Sequence, residues 1–244
     1  MNNYLLHICC APCSMIPLRE LKGEGRSPVA FYGNSNIQPF QEYEHRRATF
    51  QGYAEHLGLP LREAAYEPDG WLAFLGETSG IFPLVEGAPE YAAHTQRRRA
   101  RCRLCYRYRF ERLAAEAQRD GFETIGTTLS ISPYQFTDLL EAELQNAAHR
   151  YGIQAHFVDY RRHYGEATRL SRAAELYRQN YCGCAFSQEE AELEREARKQ
   201  ARKQAREQIR AQAEGQTGTS TDATACQPSV AQPTTTDETQ TSPC

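Results

Sequence analysis

Apolar residues along the chain fall into two patterns that alternate from the amino terminus to Tyr160. Short continuous runs, "YLLHICC", "VAFYGNSN", "LREAAY", "ETIGTTLS" and "QAHFVDY", have the length and β-branched or aromatic content of buried strands. The second of these is stopped by Gly-Asn-Ser-Asn. Between them, apolar residues recur at helical spacing in "QEYEHRRATFQGYAEHLG", "LCYRYRFERLAAEAQRDG" and "TDLLEAELQNAAHRYG". Gly58 and Gly121 stand where helix ends favour a left-handed residue. Strands separated by helices predict βαβ units and an α/β fold with a parallel sheet flanked by helices. Such sheets carry their sites beyond the carboxyl ends of the strands. Cys9 and Cys10 follow the first strand, Asn34 to Asn36 the second, and Thr127 to Ser132 the run "ETIGTT", so the chemically suggestive residues converge on one edge.

The pattern changes after residue 187. "SQEEAELEREARKQARKQAREQIRAQAE" is strongly helical by propensity yet polar all round, as a solvated extension or an assembly element would be. From 215 to 244 the chain is rich in Thr, Gln, Ser and Pro with almost no large apolar residues, which predicts disorder. The expected organisation is a catalytic body over 1–187, a polar helical extension over 188–214 and a disordered tail over 215–244. No apolar run reaches membrane length, so a soluble, cytoplasmic protein with no membrane partner is expected.

Cysteine usage sharpens this picture, since nine thiols in a reducing compartment point to metal ligation or redox chemistry rather than a disulfide scaffold. Cys9 and Cys10 can face one centre only if the strand has ended and the chain is turning, which Ala11 and Pro12 suit. Cys102 and Cys105, in "RCRLCY", share one face if they open a helix. Two pairs make four thiolates, enough for a tetrahedral zinc or an iron–sulfur cluster. Adjacent cysteines make a poor zinc knuckle, which favours the cluster. Cys182 and Cys184 flank a single glycine, and a strained, easily reduced disulfide is a better reading of them than a further metal-binding pair. Cys226 and Cys244 lie in the tail and are discounted as ligands.

Net charge is only -3, but Gln96 to Arg112 holds eight arginines against one glutamate. That local positive field suits a phosphate backbone, with Arg97, Arg98, Arg99, Arg101 and Arg103 beside Cys102, and Tyr106 and Tyr108 placed to stack a splayed base. Tyr134, Tyr181 and His7 are candidate proton donors, although His7 suits the core of the first strand and Tyr181 suits packing.

In order along the chain, "LLHICCAPCS", "FYGNSNIQPFQEYEHR", "RCRLCYRYRFERLA", "TTLSISPYQ" and "LYRQNYCGCAFS" resemble the signatures of the QueH-type epoxyqueuosine reductases, over roughly residues 4 to 187. The resemblance implies a Rossmann-like, nucleotide-hydrolase-like sheet with a metal site at its carboxyl edge. It also implies the last step of queuosine synthesis, reduction of epoxyqueuosine to queuosine at the wobble position of tRNA. Cys9, Cys10, Cys102 and Cys105 then look like ligands of a 4Fe–4S cluster, and Cys182 and Cys184 like a redox-active pair. Cys13, where some members carry an acidic residue, is either a ligand to an additional iron or a spectator. Either Glu67 or Asp69, in "AYEPDGWL", is the counterpart of an acidic residue of the family. The implied partners are tRNA containing epoxyqueuosine and an unidentified electron donor. Two other readings stand beside this one. A cluster-dependent tRNA thiolation enzyme is disfavoured because "CCAPCS" lacks the glycine of a phosphate-binding loop. The other is a zinc-stabilised RNA-binding module.

Overall fold

The computed structural model describes residues 3–217. Its centre is a five-stranded, all-parallel sheet ordered β3-β2-β1-β4-β5. The strands are β1 (Tyr4–His7), β2 (Val29–Tyr32), β3 (Leu61–Glu63), β4 (Thr124–Thr127) and β5 (Gln154–Ala155). Among the described residues seven α-helices connect and extend them: α1 (Ala11–Gly23), α2 (Phe40–Leu57), α3 (Pro68–Leu75), α4 (Tyr91–Arg119), α5 (Thr137–Tyr151), α6 (Tyr164–Ala173) and α7 (Ala185–Thr217).

Strand alternation sends successive side chains to opposite faces, and both faces are covered, as a parallel sheet requires. Leu5, Val29 and Phe31 pack with Phe110, Leu113 and Leu144 under α4 and α5. Tyr4, Leu6, Ala30 and Tyr32 pack on the other face with Leu18, Leu21, Phe50 and Ala54 of α1 and α2. Gly126 of β4 is required by a close approach. A Cβ there would collide with the Tyr4 ring, whose hydroxyl is hydrogen-bonded to His156 Nδ1 at 3.0 Å.

The chain winds outward from β1 through β2 to β3, then returns to place β4 on the other side of β1. The β1–β4 boundary is therefore the switch point, where helices leave to opposite faces and a crevice opens at the carboxyl ends. Gly58 and Gly152 end α2 and α5 at left-handed φ of 62° and 66°. β1 ends at His7, so Cys9 and Cys10 lie past the strand, and β5 is reduced to two residues.

Two expectations need correction. "CAPCS" is more than a turn: Cys10 caps α1 and Cys13 lies in its first turn. Pro12 is tolerated there because the first turn of a helix has no partner for its N–H. Cys102 and Cys105 do not open a helix either. α4 begins at Tyr91, so the pair sits in its interior, still one turn apart on one face.

One compact unit runs through Arg198, so about the first four turns of α7 belong to it. A second unit begins at Lys199, and its described part is the remainder of α7, to Thr217. Cys226 and Cys244 lie outside the described residues. Among the described residues no helix is long and apolar enough to cross a membrane.

Candidate active site and metal centre

The switch point gathers thiols. Cys9, Cys10 and Cys13 place their sulfurs within 4.8 Å of one another, with Cys9 and Cys10 Sγ 3.9 Å apart. Regular backbone sets this up. Cys9 leaves β1 with its N–H donated to Thr128 Oγ1 at 3.2 Å, and Thr128 itself follows β4. Asn34, just past β2, donates to Ile8 O at 2.8 Å and ties the third strand end to the same point. The amino end of α1 is partly positive and favours thiolate there. Hydrogen bonds from Cys10 and then Cys13 hold the Cys9 thiol well below its ordinary range against its burial. Burial pushes the Cys10 thiol up, and hydrogen bonds from Cys10 and Cys9 do the same to Cys13, so the trio favours a single anion.

Cys102 and Cys105 come from α4. Cys102 packs against the apolar group that contains Cys9 and Cys10, whereas Cys105 joins Trp71, Leu75 and Cys184. Among the described residues they do not enter the close sulfur group, where Cys13 takes the third place. Burial raises both thiols, and Cys182 raises each further. Arg109 and Trp71 pull Cys105 the other way. Trp71 Nε1 and Arg109 Nε are buried without an acceptor, which a thiolate at Cys105 would provide. A buried, all-sulfur donor set with orphaned donors beside it fits a soft, thiolate-held metal centre.

Cys182 and Cys184 are held differently, in an irregular segment. Both are free thiols here, Cys182 exposed and Cys184 buried. Arg46 of α2, only 2% exposed, grips this segment from beneath. It donates to Cys182 O at 2.9 Å and Tyr181 O at 3.3 Å, lies over the Tyr181 ring at 5.1 Å, and is paired with Glu42 at 2.7 Å. Gln38 donates its N–H to Gly183 O at 2.8 Å and accepts from the Tyr181 hydroxyl at 2.6 Å. Gly183 sits at φ 144°, and a Cβ there would press on Ile37, Arg46 and Asn36 at 3.1–3.2 Å. The Cys184 thiol accepts from Ser187 N at 3.3 Å, and burial pushes its pKa up to about 12, reinforced by Cys182.

A cavity of about 370 Å³ joins these regions, with Cys9, Cys13 and Cys182 in its wall. Gln135 and Gln179 also line it. Gln179 Nε2 donates to Cys10 Sγ at 3.0 Å and Gln135 Nε2 to Cys182 Sγ at 3.4 Å. Sequence reasoning missed Arg46, Gln135 and Gln179. Each lies inside a quoted motif ("QEYEHR", "TTLSISPYQ", "LYRQNYCGCAFS"), and that adjacency was the available signal.

Tyr106 and Arg101 change role. Tyr106 is 2% exposed and cannot stack a base from this position. Its hydroxyl donates instead to Gln135 Oε1 at 2.8 Å, and so fixes the amide that meets Cys182. Arg101 is buried and bidentate on Glu190 of α7, at 2.6 and 2.8 Å, and also donates to Gly80 O. Arg98 pairs with Glu190 and Glu194, Arg99 with Asp138, and Arg103 with Glu143; Arg97 lies over the Phe82 ring. Glu190 and Glu194 also accept the N–H groups of Phe82 and Leu84, which fastens that loop to α7.

Of the candidate proton donors, His7 is fully buried beside Phe110 and bonded to Thr127 Oγ1 at 3.1 Å; burial keeps it neutral. The Tyr181 hydroxyl is committed to Gln38 O, and burial pushes its pKa up to about 12. Tyr134 lines the cavity and is 69% exposed. Glu67 pairs with Arg112 at 3.3 Å, and Asp69 lies in the first turn of α3.

A sequence model of the family "Epoxyqueuosine reductase QueH" matches residues 4–190. The chain belongs to the QueH epoxyqueuosine reductase family. Its relatives include the epoxyqueuosine reductase QueH of Thermotoga maritima, 32% identical over 80% of this chain and 97% of that one. Those of Acinetobacter baylyi and Dehalococcoides mccartyi are 33% and 27% identical over 76% of this chain, covering 80% and 92% of theirs. QueH enzymes are oxidoreductases, and the match takes in all seven described cysteines.

Proposed function

We propose that the chain reduces epoxyqueuosine to queuosine at the wobble position of a tRNA. The observation that carries this reading is the single cavity in which Cys9 and Cys13 from the sheet edge meet Cys182 from the irregular segment. The proposed centre is a 4Fe–4S cluster on Cys9, Cys10, Cys102 and Cys105. The proximity of Cys13 to Cys9 and Cys10 supports it as a further ligand, to the cluster or to an additional iron. Bound there, such a cluster would supply single electrons at low potential, and an additional iron beside it would supply Lewis acidity.

The chemistry balances on the chain's own thiols. Both carbon–oxygen bonds of the epoxide break, the carbon–carbon bond becomes double, and the oxygen leaves as water, which takes two electrons and two protons. Oxidation of the Cys182–Cys184 dithiol to a disulfide releases the same number of each. An electron donor must then reduce the pair for the next turnover. Gln135 orients the Cys182 sulfur, and Tyr134 is placed to hold a proton at the cavity. The tRNA is attracted by the arginines of α4 that keep exposed surface, Arg97, Arg99 and Arg103.

Anaerobic purification with iron, sulfide and turnover assays tests this reading. Cys102→Ser is expected to lose iron and sulfide, and full retention would overturn the ligand assignment. Cys184→Ser is expected to keep its metal yet lose turnover, and turnover at the wild-type rate would remove the pair from the reaction.

A further inference from the structure

The arginines of α4 are mostly turned toward carboxylates of the same chain, which raises the question of which groups at the cavity are free to bind a substrate. Two sets answer. The first is aromatic. Tyr134, 69% exposed, meets Tyr164 edge to face with centroids 6.1 Å apart, and both line the cavity. An exposed ring braced at its edge is a ready stacking surface. The second is cationic. Arg195 and Arg198 line the same cavity from the part of α7 that belongs to the compact unit. Arg195 is exposed and makes no ion pair or hydrogen bond among the described residues, and Arg198 has one partner, Glu194, at 3.2 Å with its side chain 63% exposed. The family match ends at residue 190, so these arginines lie beyond it.

We propose that this rim is the RNA-docking site of the cavity: Tyr134, braced by Tyr164, stacks an unpaired base of a single-stranded loop, and Arg195 and Arg198 bind the phosphates flanking it. The inference rests on the tRNA reading above and names the groups that carry it. Protein–RNA recognition in loops uses this combination, because every base has a stacking face and every linkage a negative charge. The α4 arginines then contribute a surrounding field, while contact at the reacting nucleotide comes from α7 and the Tyr134 turn.

The test is anaerobic binding of an anticodon stem-loop RNA to the full-length protein across a salt series. Arg195→Gln with Arg198→Gln should reduce the slope of log affinity against log salt by about 1.4, roughly 0.7 for each phosphate contact on a single strand. Lysine at both positions should restore it. Tyr134→Ala should weaken binding roughly tenfold at any one salt concentration without changing the slope, and Tyr134→Phe should bind as wild type. In turnover the glutamine pair should raise KM with kcat held. Tight wild-type binding with the glutamine pair and Tyr134→Ala unchanged overturns this site and leaves the proposed reaction standing. A wild-type protein that binds no RNA overturns both.

Discussion

The β1–α1 junction and the Tyr181–Cys184 segment both hold thiols at one cavity, by opposite means. At the junction, regular structure does the placing. A strand ends, a helix begins with Cys10 as its cap, and the neighbouring strand end supplies Thr128 to receive Cys9 N–H. In the Tyr181–Cys184 segment no repeating backbone is available, so the Arg46 side chain, the Gln38 backbone and the segment's own Gly183 hold it. The first arrangement depends on the topology of the sheet and tolerates change in its surroundings. The second depends on particular residues over a hundred positions away, Arg46 above all.

If this contrast is sound, the largest effect should come from Arg46→Met. It strips two carbonyls of their donor and leaves Glu42 without its buried partner, a loss of about 3–5 kcal/mol by analogy with other broken buried pairs. Denaturant unfolding would show it. Alkylation of Cys182 should also accelerate while that of Cys9 and Cys10 does not; equal acceleration at both would abolish the distinction. Gly183→Ala comes next, at about 1–3 kcal/mol for an L-residue forced to positive φ, with crowding of Ile37 and Arg46 added. Thr128→Val probes the other region. It leaves Cys9 N–H without its acceptor, at about 1–3 kcal/mol, and should alter metal retention rather than Cys182 reactivity.

The smallest expected effect lies away from both regions. Burial alone would raise the Glu143 carboxyl, but hydrogen bonds from Arg107 and Arg103 outweigh it and hold the pKa below the ordinary carboxylate range. The folded state therefore takes up this proton less readily than the unfolded chain. Its contribution to stability is present above the unfolded value of about 4.3 and is lost as pH falls through the lower folded value. Glu143→Gln should flatten the acid limb of the stability curve, with no change in Cys182 alkylation.

These cases show what the chain made legible. Continuous apolar runs announced β1, β2 and β4 because both faces of the sheet are covered, leaving no polar alternation to obscure them. α1 was hidden by Pro12 and Pro17, residues that argue against a helix unless the first falls in the opening turn, as it does. The true start of α4 was hidden because its arginines read as charge, although arginine is also a good helix former. The cysteines of the site were visible by spacing and motif. The burial of Arg101 was not, because it depends on Glu190, 89 positions away and in a helix that looked wholly solvated. Tyr106 was misread for a related reason: its hydroxyl partner, Gln135, arrives from the far side of β4.

The grip of α7 on the loop before α4 matters to anyone choosing where to shorten this protein. The family boundary at residue 190 invites a cut there, and the charged helix beyond it looks dispensable. A chain ending at 190 keeps Glu190 but makes it the terminal residue, with a new carboxylate beside the buried Arg101 pair. It also loses Glu194, the acceptor for Leu84 N–H and a partner of Arg98, together with the cavity wall from Ala191 to Arg198. The shortest piece that preserves the cavity ends no earlier than Arg198.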